Sequence, residues 1–215
     1  MSIDAVIFDL DGVIVSTDDY HYQAWQALAD EEGIDFDREI NNRLRGVSRM
    51  ESLDILLERS RRDYSEEEKA TLAKRKNDAY RASLNNLAPE DILPGVMPLL
   101  TELRRRGVKL AIGSSSRNAP RILEGVGLGD FFDAVADGND ITRSKPDPQV
   151  FGLAGQRLGA EPQQCLVVED AEAGVEAGLA AGMKVLAVGH AADDPRATAG
   201  APDLAAITAE DLLKL

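Results

Sequence analysis

An α/β fold, a doubly wound parallel sheet carrying an inserted all-helical domain, is predicted by three features of this 215-residue chain. Short apolar runs rich in β-branched residues recur at 5–8, 109–112, 134–136, 165–168 and 185–188. They are continuous rather than alternating, as strands covered on both faces require. The later runs are separated by helix-like segments, and that alternation marks a parallel sheet with crossover helices. Between the first run and the second, from about residue 17 to residue 87, there is no convincing strand, and the stretch reads as helix after helix.

The first strand ends in Phe8-Asp9-Leu10-Asp11-Gly12-Val13, and the helical stretch follows. Ala24, Trp25, Leu28 and Ala29 share one helical face, and Phe36, Ile40 and Leu44 are spaced by four. Ser48 to Glu51 has the form of a capping box ahead of Leu53, Leu56 and Leu57, and Ser65 to Glu68 repeats it ahead of Leu72. Four such helices can bury their stripes against one another as a small bundle. Pro89 and Pro94-Gly95 punctuate the return to the strand-helix rhythm. The expected division is therefore a sheet domain from 1–15 and 93–215 and a helical cap from 16–92. Leu99, Leu100 and Leu103 ahead of Arg104 to Arg106 and Gly107 give an apolar face, a basic last turn and a glycine stop. Val150, Phe151, Ala154 and Leu158 before Gly159 repeat that logic. The insert thus sits beside the carboxyl edge of the sheet, where a ligand crevice belongs.

Acidic residues outnumber basic ones by 38 to 24, for a net charge of −14, which repels a phosphate backbone or an anionic lipid surface. Neither nucleic acid nor membrane is expected as a partner. The single cysteine, Cys165, cannot form an intramolecular disulfide and falls inside an apolar run, so a buried, unreactive thiol is expected. The first residues lack a signal-peptide pattern, and no apolar stretch approaches the roughly 18 residues of a spanning helix. A cytoplasmic monomer is the expectation.

The chemistry is concentrated at strand ends. Asp9 and Asp11, two apart on an extended chain, can face a common ligand, while Gly12 lets the chain turn away. Glu169-Asp170 directly follows the apolar run 165–168, which puts it at the same carboxyl edge. Four carboxylates gathered there require a cation, and hard oxygen ligands suit Mg²⁺ better than Zn²⁺. Ser114-Ser115-Ser116-Arg117-Asn118 follows another strand and can hold phosphate oxygens at a helix start; Asn118 equally suits a plain helix N-cap. Lys145 stands before Pro146, a position where a lysine is ordinarily solvated.

The joint order of these motifs is specific. The segments FDLDGV, GSSS, SKPDP and VVED, with a long insert after the first, resemble the haloacid dehalogenase superfamily of aspartate-dependent phosphotransferases. Tyr20 to Trp25, Arg45 to Arg49, Ala73 to Asp78 and Ser116 to Asn118 are similar to the β-phosphoglucomutase family within it, through the cap as well as the core. The resemblance covers nearly the whole chain and is thinnest after about His190. It implies a nucleophile at Asp9, a general acid/base at Asp11, and Mg²⁺ held by Asp9, Glu169, Asp170 and the main-chain carbonyl of Asp11. It implies phosphoryl binding by Ser114 and Lys145, and a second phosphate held by Arg49, Ser116, Arg117 and Asn118. Thr17, His21 and Lys76 match positions tied to the hinge, to cap closure and to poising the acid/base group; Arg45, Gly46, Val47 and Ser115 complete the implied substrate contacts. Arg45 stands where a lysine is usual, Ser115 where a small apolar residue is common, and Ala171 where serine often follows Glu-Asp. The implied activity is conversion of β-glucose 1-phosphate to glucose 6-phosphate. Its rivals are a Mg²⁺-dependent sugar-phosphate phosphatase with the same core and, less well supported by the two aspartates, a non-catalytic phosphosugar-binding protein.

Overall fold

The computed structural model describes residues 2–44 and 47–215. Its strands are β1 (Ala5–Phe8), β2 (Lys109–Gly113), β3 (Ala134–Ala136), β4 (Cys165–Glu169), β5 (Lys184–Val188) and β6 (Ala199–Ala201), all parallel in one sheet of order β3-β2-β1-β4-β5-β6. Five of these follow the predicted runs, with β4 extending one residue further to take in Glu169. The sixth, Ala-Gly-Ala, pairs with Leu186, Ala187 and Val188 at the sheet edge and carries no β-branched residue to announce it.

The four inner strands, β2, β1, β4 and β5, bury both faces. Val6, Phe8, Leu110, Ile112, Leu166 and Val168 point to one side, against α5 (Val96–Arg105), α6 (Ala119–Gly125) and α9 (Ala209–Leu213). Ala5, Ile7, Ala111, Cys165 and Val167 point to the other, against α7 (Gln149–Leu158) and α8 (Glu172–Ala180). That two-sided cover is why the strands read as unbroken apolar runs. The chain moves from β1 through β2 to β3 on one flank and then crosses to β4 on the other, so the order of strand addition switches between β1 and β4. Their register sets Phe8 beside both Ile112 and Val168, so Asp9, Ser114 and Glu169 emerge at one edge.

Among the described residues, four α-helices lie between β1 and α5: α1 (Asp18–Glu32), α2 (Arg38–Arg43), α3 (Arg49–Leu57) and α4 (Glu66–Ser83). They share their own apolar cluster, centred on Trp25, Leu28, Ile40, Leu53, Leu56 and Leu72. Both predicted capping boxes are present, Ser48 with Glu51 and Ser65 with Glu68. The two connections to the sheet run side by side, Val15 bridging Ile92 and the Leu93 N–H donating to the Ile14 carbonyl at 2.9 Å. Among the described residues no helix is long and apolar enough to cross a membrane.

Candidate active site

A cavity of about 760 Å³ opens between the four helices and the carboxyl ends of the strands. Asp9, Asp11, Lys145, Asp170 and residues 114–118 line it from the sheet side; His21, Val47, Arg49 and Lys76 line it from the helical side. Thr17 and Glu169 stand behind that wall, each joined to a lining residue. Arg45 and Gly46 lie outside the described residues.

At the floor, carboxylate oxygens of Asp9, Glu169 and Asp170 all lie within 4.8 Å of one another, and all three residues are buried. Lys145 is 1% exposed, against the solvated position such a lysine usually has; its Nζ donates to Asp9 Oδ1 at 2.5 Å and to Glu169 Oε2 at 2.7 Å. Burial opposes the lysine charge, but the two carboxylates outweigh it and hold the ammonium above its usual range. Burial pushes Glu169 up to about 7, against the pull of Lys145. One ammonium beside three carboxyl groups leaves the floor short of positive charge, which a divalent cation would supply. The backbone is shaped to let these carboxylates in. Gly12 adopts φ +90°, and a Cβ there would sit 2.1 Å from Asp170 Oδ2; a Cβ on Gly174, in α8, would sit 2.0 Å from the Glu169 carboxyl carbon. The donor set fits a hard, oxygen-loving cation.

Asp11 points elsewhere. Its side chain lies outside that carboxylate group and accepts the Thr17 N–H at 2.7 Å and the Thr17 hydroxyl at 2.5 Å. Burial raises its pKa to about 6, with the Thr17 hydrogen bonds opposing and the Asp18 and Asp9 charges assisting. Such a group exchanges protons near neutrality. His21 Nε2 lies 3.7 Å from Asp11 Oδ2, and His21 Nδ1 meets Lys76 Nζ at 2.7 Å. Lys76 is 3% exposed and is pulled down to about 7, first by burial and then by the Arg49 charge, against the attraction of Asp11.

Arginines also line the cavity. Arg49 is held below its ordinary range by burial and then by the charges of Arg117 and Arg81, which outweigh Asp78. Arg117 is fixed by its Nε donating to the Gly138 carbonyl at 3.1 Å, and the Ser114 and Ser116 hydroxyls accept the Ser116 and Asn118 N–H groups. Asn118 does occupy the N-cap position of α6, but its side chain makes no cap; its amide donates to Asn77 Oδ1 at 3.0 Å, from α4. Of the two readings of Asn118 the plain side-chain cap is not made: Oδ1, the atom a cap would use, accepts no N–H at the start of α6, while Nδ2 is bonded to Asn77.

Several lining residues escaped the sequence reading: Asp18, Ser52, Asn77 and Tyr80 on the helices, and Thr142 to Ser144 before Lys145. For Tyr80 the available signal was its spacing, one helical turn beyond Lys76 on the same face. Trp25 is buried in the helical cluster as expected, and it also lines the cavity with Lys76 Nζ 4.7 Å over its ring. Cys165 is a buried strand residue whose thiol burial pushes up to about 11.

The model of the haloacid dehalogenase-like hydrolases matches residues 3–182. The chain belongs to this family. A β-phosphoglucomutase of Bacillus subtilis is 44% identical over 188 residues, spanning 86% of this chain and 83% of that one. A phosphorylated carbohydrates phosphatase of Thermotoga maritima is 31% identical over 99% of this chain and 98% of its own. Among solved structures, a β-phosphoglucomutase from Clostridium difficile superposes with a TM-score of 0.93 at 38% identity, covering 99% of this chain and 96% of that chain. This haloacid dehalogenase-like chain therefore has the six-stranded parallel sheet and helical insert of its relatives, with a buried acidic cluster at the sheet edge.

Proposed function

We propose that this protein is a β-phosphoglucomutase, converting β-glucose 1-phosphate to glucose 6-phosphate through an aspartyl-phosphate enzyme and glucose 1,6-bisphosphate. The observation that carries the reading is a pair of arginines in the cavity lining, Arg49 from the helical side and Arg117 from the sheet side. Arg49 and Arg117 both line the cavity, and at Arg49 the charges of Arg117 and Arg81 outweigh that of Asp78, which suits a second phosphate beside the one at Asp9. A substrate with one phosphate at each end of a hexose matches a cleft lined by Lys145 beside Asp9 and, separately, by Arg49 and Arg117.

In this reading Asp9 is the nucleophile. Lys145 holds its Oδ1 and orients the carboxylate, a bond forms from Asp9 to phosphorus, and the bond from phosphorus to the sugar oxygen breaks. Asp11 gives its proton to that departing oxygen, then takes one from the incoming hydroxyl in the second half-reaction. Ser114 and Lys145 bind the transferring phosphoryl group. Asp9, Glu169 and Asp170, with the main-chain carbonyl of Asp11, hold Mg²⁺, which when bound neutralises charge where carboxylate meets phosphate. Thr17, His21 and Lys76 orient and poise Asp11. Arg49, Ser116, Arg117 and Asn118 hold the distal phosphate, Val47, Ser115, Arg45 and Gly46 adding substrate contacts. The segment 16–92 acts as a cap on the core formed by 1–15 and 93–215.

The family also contains phosphatases, which differ in letting water take the phosphoryl group. Phosphorus NMR on β-glucose 1-phosphate with a trace of the bisphosphate reads both products at once. We expect glucose 6-phosphate to dominate over inorganic phosphate, and Arg49→Ala to lower mutase flux by about 100-fold while phosphoenzyme hydrolysis changes little. Should the unmodified protein release mainly inorganic phosphate, with Arg49→Ala leaving the ratio unchanged, the phosphatase reading takes its place.

A further inference from the structure

Two residue pairs face each other where α1 meets α4. Thr17 and His21 are one turn apart at the start of α1, and Lys76 and Tyr80 are one turn apart on α4, a spacing that puts each pair on one helical face. Lys76 meets His21, and the Tyr80 hydroxyl meets Thr17 Oγ1 at 2.9 Å. The Tyr80 ring also lies against the His21 imidazole, centroid to centroid 4.0 Å, with Lys76 Nζ 4.7 Å from its own centroid. Tyr80 is 1% exposed and Thr17 fully buried.

Hydrogen counting gives this contact a direction. The Thr17 hydroxyl has one proton, and it goes to the Asp11 carboxylate. The contact with Tyr80 is then filled only if the phenol donates to Thr17 Oγ1. The result is a directed chain, Tyr80 to Thr17 to Asp11, in which each donor polarises the next. Thr17 is β-branched and has few side-chain rotamers, and the phenol selects the one that aims its hydroxyl at Asp11.

We propose that Tyr80 is a positioning residue for proton transfer, holding the Thr17 hydroxyl and through it the Asp11 carboxylate from the helical side of the cleft. The inference rests on Asp11 being the acid/base group of the phosphoryl transfer above. It assigns to α4 a second hold on the acid/base machinery, beside that of Lys76 on His21.

The test uses leaving groups. A sugar alkoxide leaves phosphorus only with a proton, which Asp11 supplies; acetate leaves acetyl phosphate as a stable anion and needs none. Tyr80→Phe removes the hydroxyl and keeps the ring on His21 and Lys76. Rapid-quench phosphorylation of the Mg²⁺-loaded enzyme by glucose 1,6-bisphosphate is expected to slow by about tenfold, with KM little changed, while phosphorylation by acetyl phosphate stays within about twofold. Thr17→Val is expected to reproduce the loss on the bisphosphate, and Tyr80→Phe added to it to cost nothing further, since both act through one hydroxyl. Equal slowing on both donors makes Tyr80 a scaffold residue and overturns the proposal, as does no slowing at all or a full multiplicative loss in the double variant. Failure of the mutase reading is seen separately, as inorganic phosphate from the unmodified enzyme. It leaves this comparison intact, because a phosphatase must also protonate the sugar oxygen.

Discussion

Burial without an equal partner sets the behaviour of individual residues at this site, and Lys76 is the clearest case. It lies among His21, Trp25, Tyr80, Arg49 and Asp11, and its pKa is pulled from 10.5 to about 7. Between pH 7 and 10.5 the unfolded chain binds more protons at this position than the folded one, so stability rises with pH across that window. Below pH 7 the full cost of charging a buried amine is present. Lys76→Met is therefore expected to stabilise the ligand-free protein by about 1–2 kcal/mol at pH 6, with the gain shrinking as pH rises toward 10. Urea titrations of both proteins at several pH values measure this, and a difference flat in pH would remove the assignment of a depressed pKa. The sequence shows which carboxylates gather at strand ends, because Asp9 and Glu169 each close an apolar run, while Lys145 taken alone reads as a solvated lysine. It does not show that Lys145 reaches two carboxylates 136 and 24 residues away, nor that Tyr80 meets Thr17 across 63. Those contacts depend on how elements dock, which no local pattern encodes.

Elements were legible where their ends carry hydrogen-bonding chemistry. Ser48 and Ser65 cap their helices as their Glu partners three residues on require, whereas β6 is held by its neighbour alone and left no sign in Ala199 to Ala201. Helix α8 shows propensity and site geometry in conflict. A glycine inside a helix costs about 1 kcal/mol relative to alanine, so propensity alone predicts that Gly174→Ala stabilises. The space is already filled by the Glu169 carboxyl group, 2.0 Å from where the Cβ would lie. We expect Gly174→Ala to destabilise by about 2 kcal/mol, and the rise in melting temperature expected of the unmodified protein with Mg²⁺ to be abolished. Thermal melts with and without Mg²⁺ check both parts. A stabilised variant that still responds to Mg²⁺ would mean that Gly174 is not there to admit Glu169.

For the whole molecule the question is how a chain of net charge −14 draws in a substrate carrying two phosphates. The answer lies in placement: Lys76 and Arg49 come from the helical wall of the cleft and Arg117 from the sheet wall, so cations face a shared space from two bodies. Those bodies are joined by two adjacent strands of chain at Val15 and Ile92 to Leu93, a junction narrow enough to act as a hinge. An anion held between Arg49 and Arg117 is gripped from both walls and can draw them together, while one held only at Asp9 and Lys145 touches the sheet wall alone. Closure driven by the second phosphate would exclude water from the phosphoryl group, which a mutase needs and a phosphatase does not. In small-angle scattering, glucose 1,6-bisphosphate with Mg²⁺ is expected to contract the protein by a few tenths of an ångström from the roughly 17 Å radius of gyration of a compact 215-residue chain. Inorganic phosphate with Mg²⁺ is expected to leave that radius unchanged, and so is the bisphosphate with Arg49→Ala. If inorganic phosphate alone produced the full contraction, closure would be driven from the Asp9 end of the cleft, and the distal cations would have no part in keeping water out.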